Sequence, residues 1–383
     1  MYKGKGIYNM KSWVKEKLNI INELYPEERI TKSKERWQRM WNGEKPLDRY
    51  PFLFKPVSFD YYNDVFSYEE GLKKYLDEFI YRGFVGDDFI PAFFPGCRQG
   101  TIPGMFGAKE IILGKDYSCE RLVHKPEDID CLPEPSIKEG TPAWEWLEME
   151  RYYLEECEGK IPIHVCDMQG PMDVCGQLWG YENLFICAYE DEERYRRLMD
   201  KATQAYIMLW EEQKNLLGEN FVGTHLYGWD WVPKDNGATL SADSMVMISD
   251  SFFDEFYSEY LEEIASRFGN LTIHSCGNFK QIVPVLAEAD YVKAVNASQM
   301  SVKELLDAGW DTRKVIINQE SIADADELFK LAWEKNLNLN ICFDGLWPCD
   351  KDGAMILPEE WTQEQRREIK EKAGRVLEAA KCK

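Results

Sequence analysis

Eight short runs rich in β-branched and aromatic residues recur along the chain, and stretches with helical apolar spacing fall between them. The runs lie at about 50–55 (YPFLFK), 88–93 (DFIPAF), 161–166 (IPIHVC), 221–227 (FVGTHLY), 271–276 (LTIHSC), 291–295 (YVKAV), 314–318 (KVIIN) and 338–342 (NLNIC). Strands separated by helices cannot pair through tight hairpins, so they predict a parallel sheet with the helices packed outside it. Eight such units match the count of an α/β fold of the single (β/α)8 TIM-barrel type, and 383 residues hold one with room to spare. The helical stretches read as 68–82, 143–158, 181–216, 251–268, 278–288, 301–308, 324–335 and 360–380. Residues 1–48 carry helical patterns at 11–24 and 31–42 and predict an N-terminal helical extension. The barrel then covers 49–383, with an insertion at about 96–142 whose Pro, Gly and charged residues point to a hairpin excursion.

Composition narrows the function. There are 46 Lys+Arg against 68 Asp+Glu, a net charge of −22, and the bases are interleaved with acids rather than segregated. A nucleic-acid partner needs a basic face to neutralise phosphates, and an anionic membrane surface needs the same. Neither fits. No apolar run approaches the ~18 residues of a membrane span, and residues 1–13 lack the apolar core of a signal peptide. The expectation is a cytoplasmic protein with reduced thiols. Its eleven cysteines form no CxxC pair, so neither a disulfide framework nor a zinc ribbon is indicated.

In such a barrel, chemistry sits at the C-terminal ends of the strands. The sharpest feature there is His274-Ser275-Cys276, ahead of Gly277-Asn278. Residues i and i+2 of a strand share a face, so His274 and Cys276 project together and supply two of the three protein ligands of a catalytic zinc site. The third must come from another strand. Cys342 is the leading candidate, with Cys349 or Glu320 as substitutes. The competing reading is a hydrogen-bonded core histidine beside two small buried thiols. His225 and Asp230 could act as catalytic groups or serve as ordinary hydrogen-bonding partners. Glu320 could assist catalysis or favour a helix start. His164, Asp167 and Gln169 face the same mouth. Phe93, Phe94, Tyr227, Trp229, Trp231 and Trp347 would form an aromatic rim suited to a flat apolar substrate, with Asn278 a further binding candidate.

Residues 33–52 (SKERWQRMWNGEKPLDRYPF), 170–188 (GPMDVCGQLWGYENLFICA) and 235–256 carry a resemblance to the uroporphyrinogen decarboxylase superfamily. Within it, His274-Ser275-Cys276-Gly277-Asn278 is similar to the H-x-C-G-N of the cobalamin-dependent methyltransferases. That resemblance implies a Zn2+ ion on His274, Cys276 and a later Cys, matched by Cys342. It also implies a corrinoid partner. The chain has no D-x-H-x-x-G pattern, so a separate corrinoid-binding protein would supply the cobalamin. Zinc would act as a Lewis acid on a small methylated, for example methoxyaromatic, substrate, or would activate a thiol acceptor. A decarboxylase remains an alternative, as does a non-catalytic barrel binding a tetrapyrrole or other small ligand. No arginine occurs between Arg49 and Arg82, where a polycarboxylate substrate would need several. The sequence leaves a homodimer open.

Overall fold

The computed structural model describes residues 10–57, 67–96, 98–113, 116–223, 231–351 and 355–381. The first strand is β1 (Phe52–Phe54). An antiparallel pair, β2 (Glu110–Leu113) and β3 (Asp116–Cys119), lies within the insertion. Then come β4 (Ile163–His164), β5 (Phe221–Val222), β6 (Ala238–Ser241), β7 (Leu271–Ser275), β8 (Val292–Ala297), β9 (Val315–Ser321) and β10 (Asn338–Asp344). Six of these form one parallel sheet in the order β1-β10-β9-β8-β7-β6. Helices follow the strands and cover the outer face, where Phe52, Phe329 and Phe343 pack edge to edge. The result is a TIM-barrel-like α/β fold.

Isolated contacts span the rest of the ring. Asp88 N donates to Phe52 O (3.0 Å), Phe93 bridges Ile163, and Gln169 bridges Ser241. Residues 88–93 therefore occupy a strand's place without forming a ladder, and Pro91, which has no N–H, lies in the middle of them. The expected fourth strand is also corrected. Among its described residues Phe221 and Val222 pair with β4, 224–227 lie outside the described residues, and the strand beside β7 is β6, which starts seventeen residues after Phe221. The predicted helix at 181–216 is divided between Tyr181–Glu190 and Glu192–Leu217, and a further helix, Pro171–Trp179, runs directly into it. Gly180, at φ +98°, makes the first break, and Asp191 caps the third helix through Arg194 N.

The helices Ser12–Leu24 and Glu27–Trp41 pack against the barrel with Trp37 and Trp41 fully buried. Gly43, just past the second helix, sits against Asn338 and Arg313 O, at the N-terminal ends of β10 and β9, so this helix seals the floor. Asp88 ties the joint. Its buried carboxylate accepts from Arg36 (2.9 Å), Arg49, Ser33 Oγ (3.2 Å) and Phe52 N (3.1 Å). Asp87 beside it accepts from Arg82 (3.2 Å) and Phe54 N (3.1 Å). Among the described residues, no helix is long and apolar enough to cross a membrane.

Replacing Asp88 with Ala leaves the buried Arg49 guanidinium without a carboxylate, takes one of two from Arg36, which keeps Asp48, and strands the Phe52 N–H. The expected loss is about 3–5 kcal/mol, measured as a lower urea midpoint.

Candidate metal centre

His274 stands on β7, opposite Ser241 of β6 and Asn296 of β8. Its Nδ1 meets Asn296 Oδ1, while Asn296 Nδ2 donates to Ile317 O at 2.9 Å. That second bond fixes which way the amide faces, so its oxygen must accept the Nδ1 proton. Nε2 is left with its lone pair pointing toward Cys276 Sγ at 3.3 Å and Asp243 Oδ1 at 3.8 Å. Gly277 turns the chain directly after Cys276, at φ +80°. A Cβ there would lie 2.8 Å from Val246 Cγ1.

Asp243 arrives from the end of β6 and accepts the Cys276 N–H at 2.7 Å. Its neighbour Ser244 is clamped by the fully buried Asp173, which accepts from Ser244 N and Ser244 Oγ, both at 2.9 Å, and from Tyr181 Oη at 3.1 Å. One ligand atom each from Asp243, His274 and Cys276 lies within 4.8 Å of the others. A tetrahedral ion with bonds of about 2.0–2.3 Å sets its ligand atoms about 3.3–3.8 Å apart, and the distances from His274 Nε2 to Cys276 Sγ (3.3 Å) and to Asp243 Oδ1 (3.8 Å) fall in that range. The donor set fits as well: one imidazole nitrogen, one sulfur and one carboxylate oxygen suit zinc. Cys276 is exposed and the Asp243 side chain is 38% exposed, which leaves the site open toward the mouth.

Burial disfavours a charged His274 ring. The hydrogen bond to Cys276, the nearby Asp243 and the contact with Asn296 outweigh it and hold the pKa above the ordinary imidazole value. Asp173 is pushed up to about 8, by burial first and by Asp243 second, against the pull of its Ser244 and Tyr181 donors.

The predicted residues disperse. His225, Tyr227, Trp229 and Asp230 lie outside the described residues. Cys342 is buried and joins no metal-competent group among the described residues; Asp243 stands where a second thiol was expected. Burial pushes the Cys342 thiol upward, with Arg82 and Lys55 opposing. Cys349 is exposed and lies past the end of β10, outside the group. Glu320 is half-buried and accepts from Val302 N (3.2 Å) and Asn318 Nδ2 (3.2 Å), so it caps the helix Val302–Asp307. Burial raises its pKa.

The aromatic rim does not form from the described candidates. Phe93 and Phe94 are fully buried. Trp231 lies at the floor, where its carbonyl accepts from Trp41 Nε1 (3.1 Å). Trp347 stacks on Trp361 (5.6 Å) and donates to Lys55 O (2.6 Å). Asn278 is exposed and accepts from Lys280 N in a turn. Asp167 and Gln169 do reach the interior: Ser241 Oγ donates to Asp167 at 2.8 Å, and Gln169 Nε2 to Asp167 at 3.4 Å.

No protein-family model matches the sequence, and no curated protein matches it. Among solved structures, the chain is similar to a methyltransferase from Methanosarcina mazei. The identity is 16%, the TM-score is 0.58, and the match covers 90% of this chain and 98% of that one. At that identity the likeness establishes the fold.

A carboxyl whose folded pKa lies above its unfolded value contributes stability that is full at low pH and is lost as pH rises. For Asp173 the window runs from the ordinary 3.8 to about 8. In chelator-treated protein, Asp173→Asn should therefore flatten the fall in stability across that window. Urea unfolding at pH 5 and pH 8 measures it; parallel curves for the two proteins would refute the assignment.

Proposed function

We propose that the protein transfers a methyl group between a small methylated substrate and a corrinoid carried by a separate protein, at a metal held by His274, Cys276 and Asp243. The observation that carries the reading is the convergence of these three donors at the C-terminal ends of β6 and β7, with the His274 proton directed away from them. The fold shared with a methyltransferase supports methyl transfer as the reaction class. Zinc bound here would supply Lewis-acid polarisation of the atom that bears the methyl group.

The chain's own residues do the positioning. Asn296 holds the imidazole in one tautomer, and the Cys276 N–H holds Asp243 against the ring. Asp173 fixes the loop that carries Asp243. Asp167, Gln169 and Ser241 line the interior beside the site and offer a substrate donors and acceptors. The buried positions of Phe94 and Trp347 remove their support for a flat aromatic substrate, so the methyl donor's class rests on other features of the mouth.

Protein purified without chelators should hold about one zinc per chain. Cys276→Ala and Asp243→Ala should each lose most of it, and Cys342→Ala should keep it. Full zinc in Cys276→Ala would move the site elsewhere. Activity can be sought with free cob(I)alamin and a panel of methyl ethers, methylamines and methyl thioethers, following methylcobalamin absorbance. Failure of zinc-loaded protein with every member would count against methyl transfer.

The Asn296 contact has its own consequence. Groups that orient a metal-binding imidazole are worth about 10- to 100-fold in metal affinity. Asn296→Leu should weaken zinc binding by that factor in a chelator competition, and it should lower the unfolding midpoint of the metal-free protein as well, because Ile317 O and His274 Nδ1 lose their partner.

A further inference from the structure

The ladder of paired strands sorts the mouth into inward- and outward-facing side chains. Ser241, His274, Asn296, Ile317 and Asn340 are register partners and share one face. Cys342 and Asp344 follow Asn340 at alternate positions, and Cys342 pairs with Leu53 of β1. Leu53 and, two residues on, Lys55 therefore face inward as well. Phe52, Phe329 and Phe343 packing together on the other side agrees with that parity.

Lys55 is held firmly at this point. Its N–H donates to Phe343 O (2.9 Å) and extends the ladder, and its carbonyl accepts from the Trp347 indole (2.6 Å). The side chain is half-buried, and its ammonium makes no hydrogen bond or ion pair with any described residue. Asp344, the nearest acid on the inward face of β10, accepts from Gln319 Nε2 (3.2 Å) instead. The Lys55 charge acts on the buried Cys342 thiol, consistent with an inward position. At the mouth, the order is β1, residues 88–93, the segment that follows β4, β6, β7, β8, β9 and β10, with β5 beside the start of β4. Lys55 on β1 and His274 on β7 thus stand four places apart among eight, on opposite walls of the mouth. Among the inward-facing positions of the six-stranded ladder, Lys55 is the one lysine or arginine, in a chain of net charge −22.

We propose that Lys55 is a substrate-specificity residue: the substrate carries a carboxylate or similar monoanionic group that pairs with this ammonium while its reacting end lies at the metal group on the opposite wall. This rests on the methyl-transfer reading for what happens at the metal, but the anion subsite stands on its own geometry. The chain's overall charge repels anions, so a preference for one must come from a local cation.

The test uses cobalt(II)-loaded protein and two thiols that differ in one charge, 3-mercaptopropionate and 3-mercapto-1-propanol. Thiolate-to-cobalt absorbance reports coordination, and calorimetry reports binding. A charged hydrogen bond supports a preference of about 10- to 100-fold for the carboxylate. Lys55→Gln should bring the two affinities within about threefold, Lys55→Arg should keep most of the gap, and metal content should be equal in all three proteins. Added salt should narrow the gap in the parent. Equal affinities in the parent, or a gap that survives Lys55→Gln, would overturn the proposal while leaving the metal site intact. A Lys55-dependent preference without any cobalt band would overturn the metal reading and leave this one standing. Absence of both binding and band would overturn both.

Discussion

A parallel ladder permits one register, because a slip of one residue sends every inward side chain to the outside. In this protein the ladder from β6 through β10 to β1 sets that register over six strands, with one shift, between β7 and β8 at Leu271/Thr272, below His274 and Asn296. His274, Asn296 and Ser241 meet because they are register partners, and the same pairing carries Cys342 and Lys55 to the interior on the far side. The apolar outer face, with Phe52, Phe329 and Phe343 under the helices, holds the register in place. An alternative pairing would expose those rings and bury the polar row against the helices.

Two buried aspartates fasten the part of the ring that lacks a ladder. Asp87 and Asp88 take backbone N–H groups of β1 and guanidinium groups from the floor helix and its neighbours. This accounts for Ser33, Arg36 and Arg49 in the segment that resembles a family signature: all three donate to Asp88. Their work is structural and lies at the opposite end of the barrel from the metal-competent group. A motif can therefore mark a fold strongly while saying little about chemistry.

Much of the architecture was legible because short apolar strands and amphipathic helices carry periods of two and about 3.6 residues. The errors have particular causes. The segment FVGTHLY is more apolar than ATLS and reads more readily as a strand, yet ATLS sits beside β7 and leads into Asp243. The only local hint was an acidic residue just past a short Thr/Ser strand and ahead of a capped helix, a pattern common to many loops. The aromatic rim failed for a related reason. Trp231 and Trp347 follow apolar runs in sequence, but one lies at the floor against the helix Glu27–Trp41 and the other braces Lys55 and Trp361.

The sequence by itself determined the α/β class and the adjacency of His274 and Cys276, since two residues apart on a strand is a local relation that backbone geometry enforces. It could not determine the third member of the group, the tautomer of His274 or the inward placement of Lys55. Those depend on which strands become neighbours, and that choice is made by burial and pairing between segments tens to hundreds of residues apart. Asp243 reaches the site because β6 pairs with β7, and Asn296 holds the imidazole because β8 pairs with β7. Lys55 comes to the inner face because β1 pairs with β10 and continues the parity set at Cys342 and Leu53.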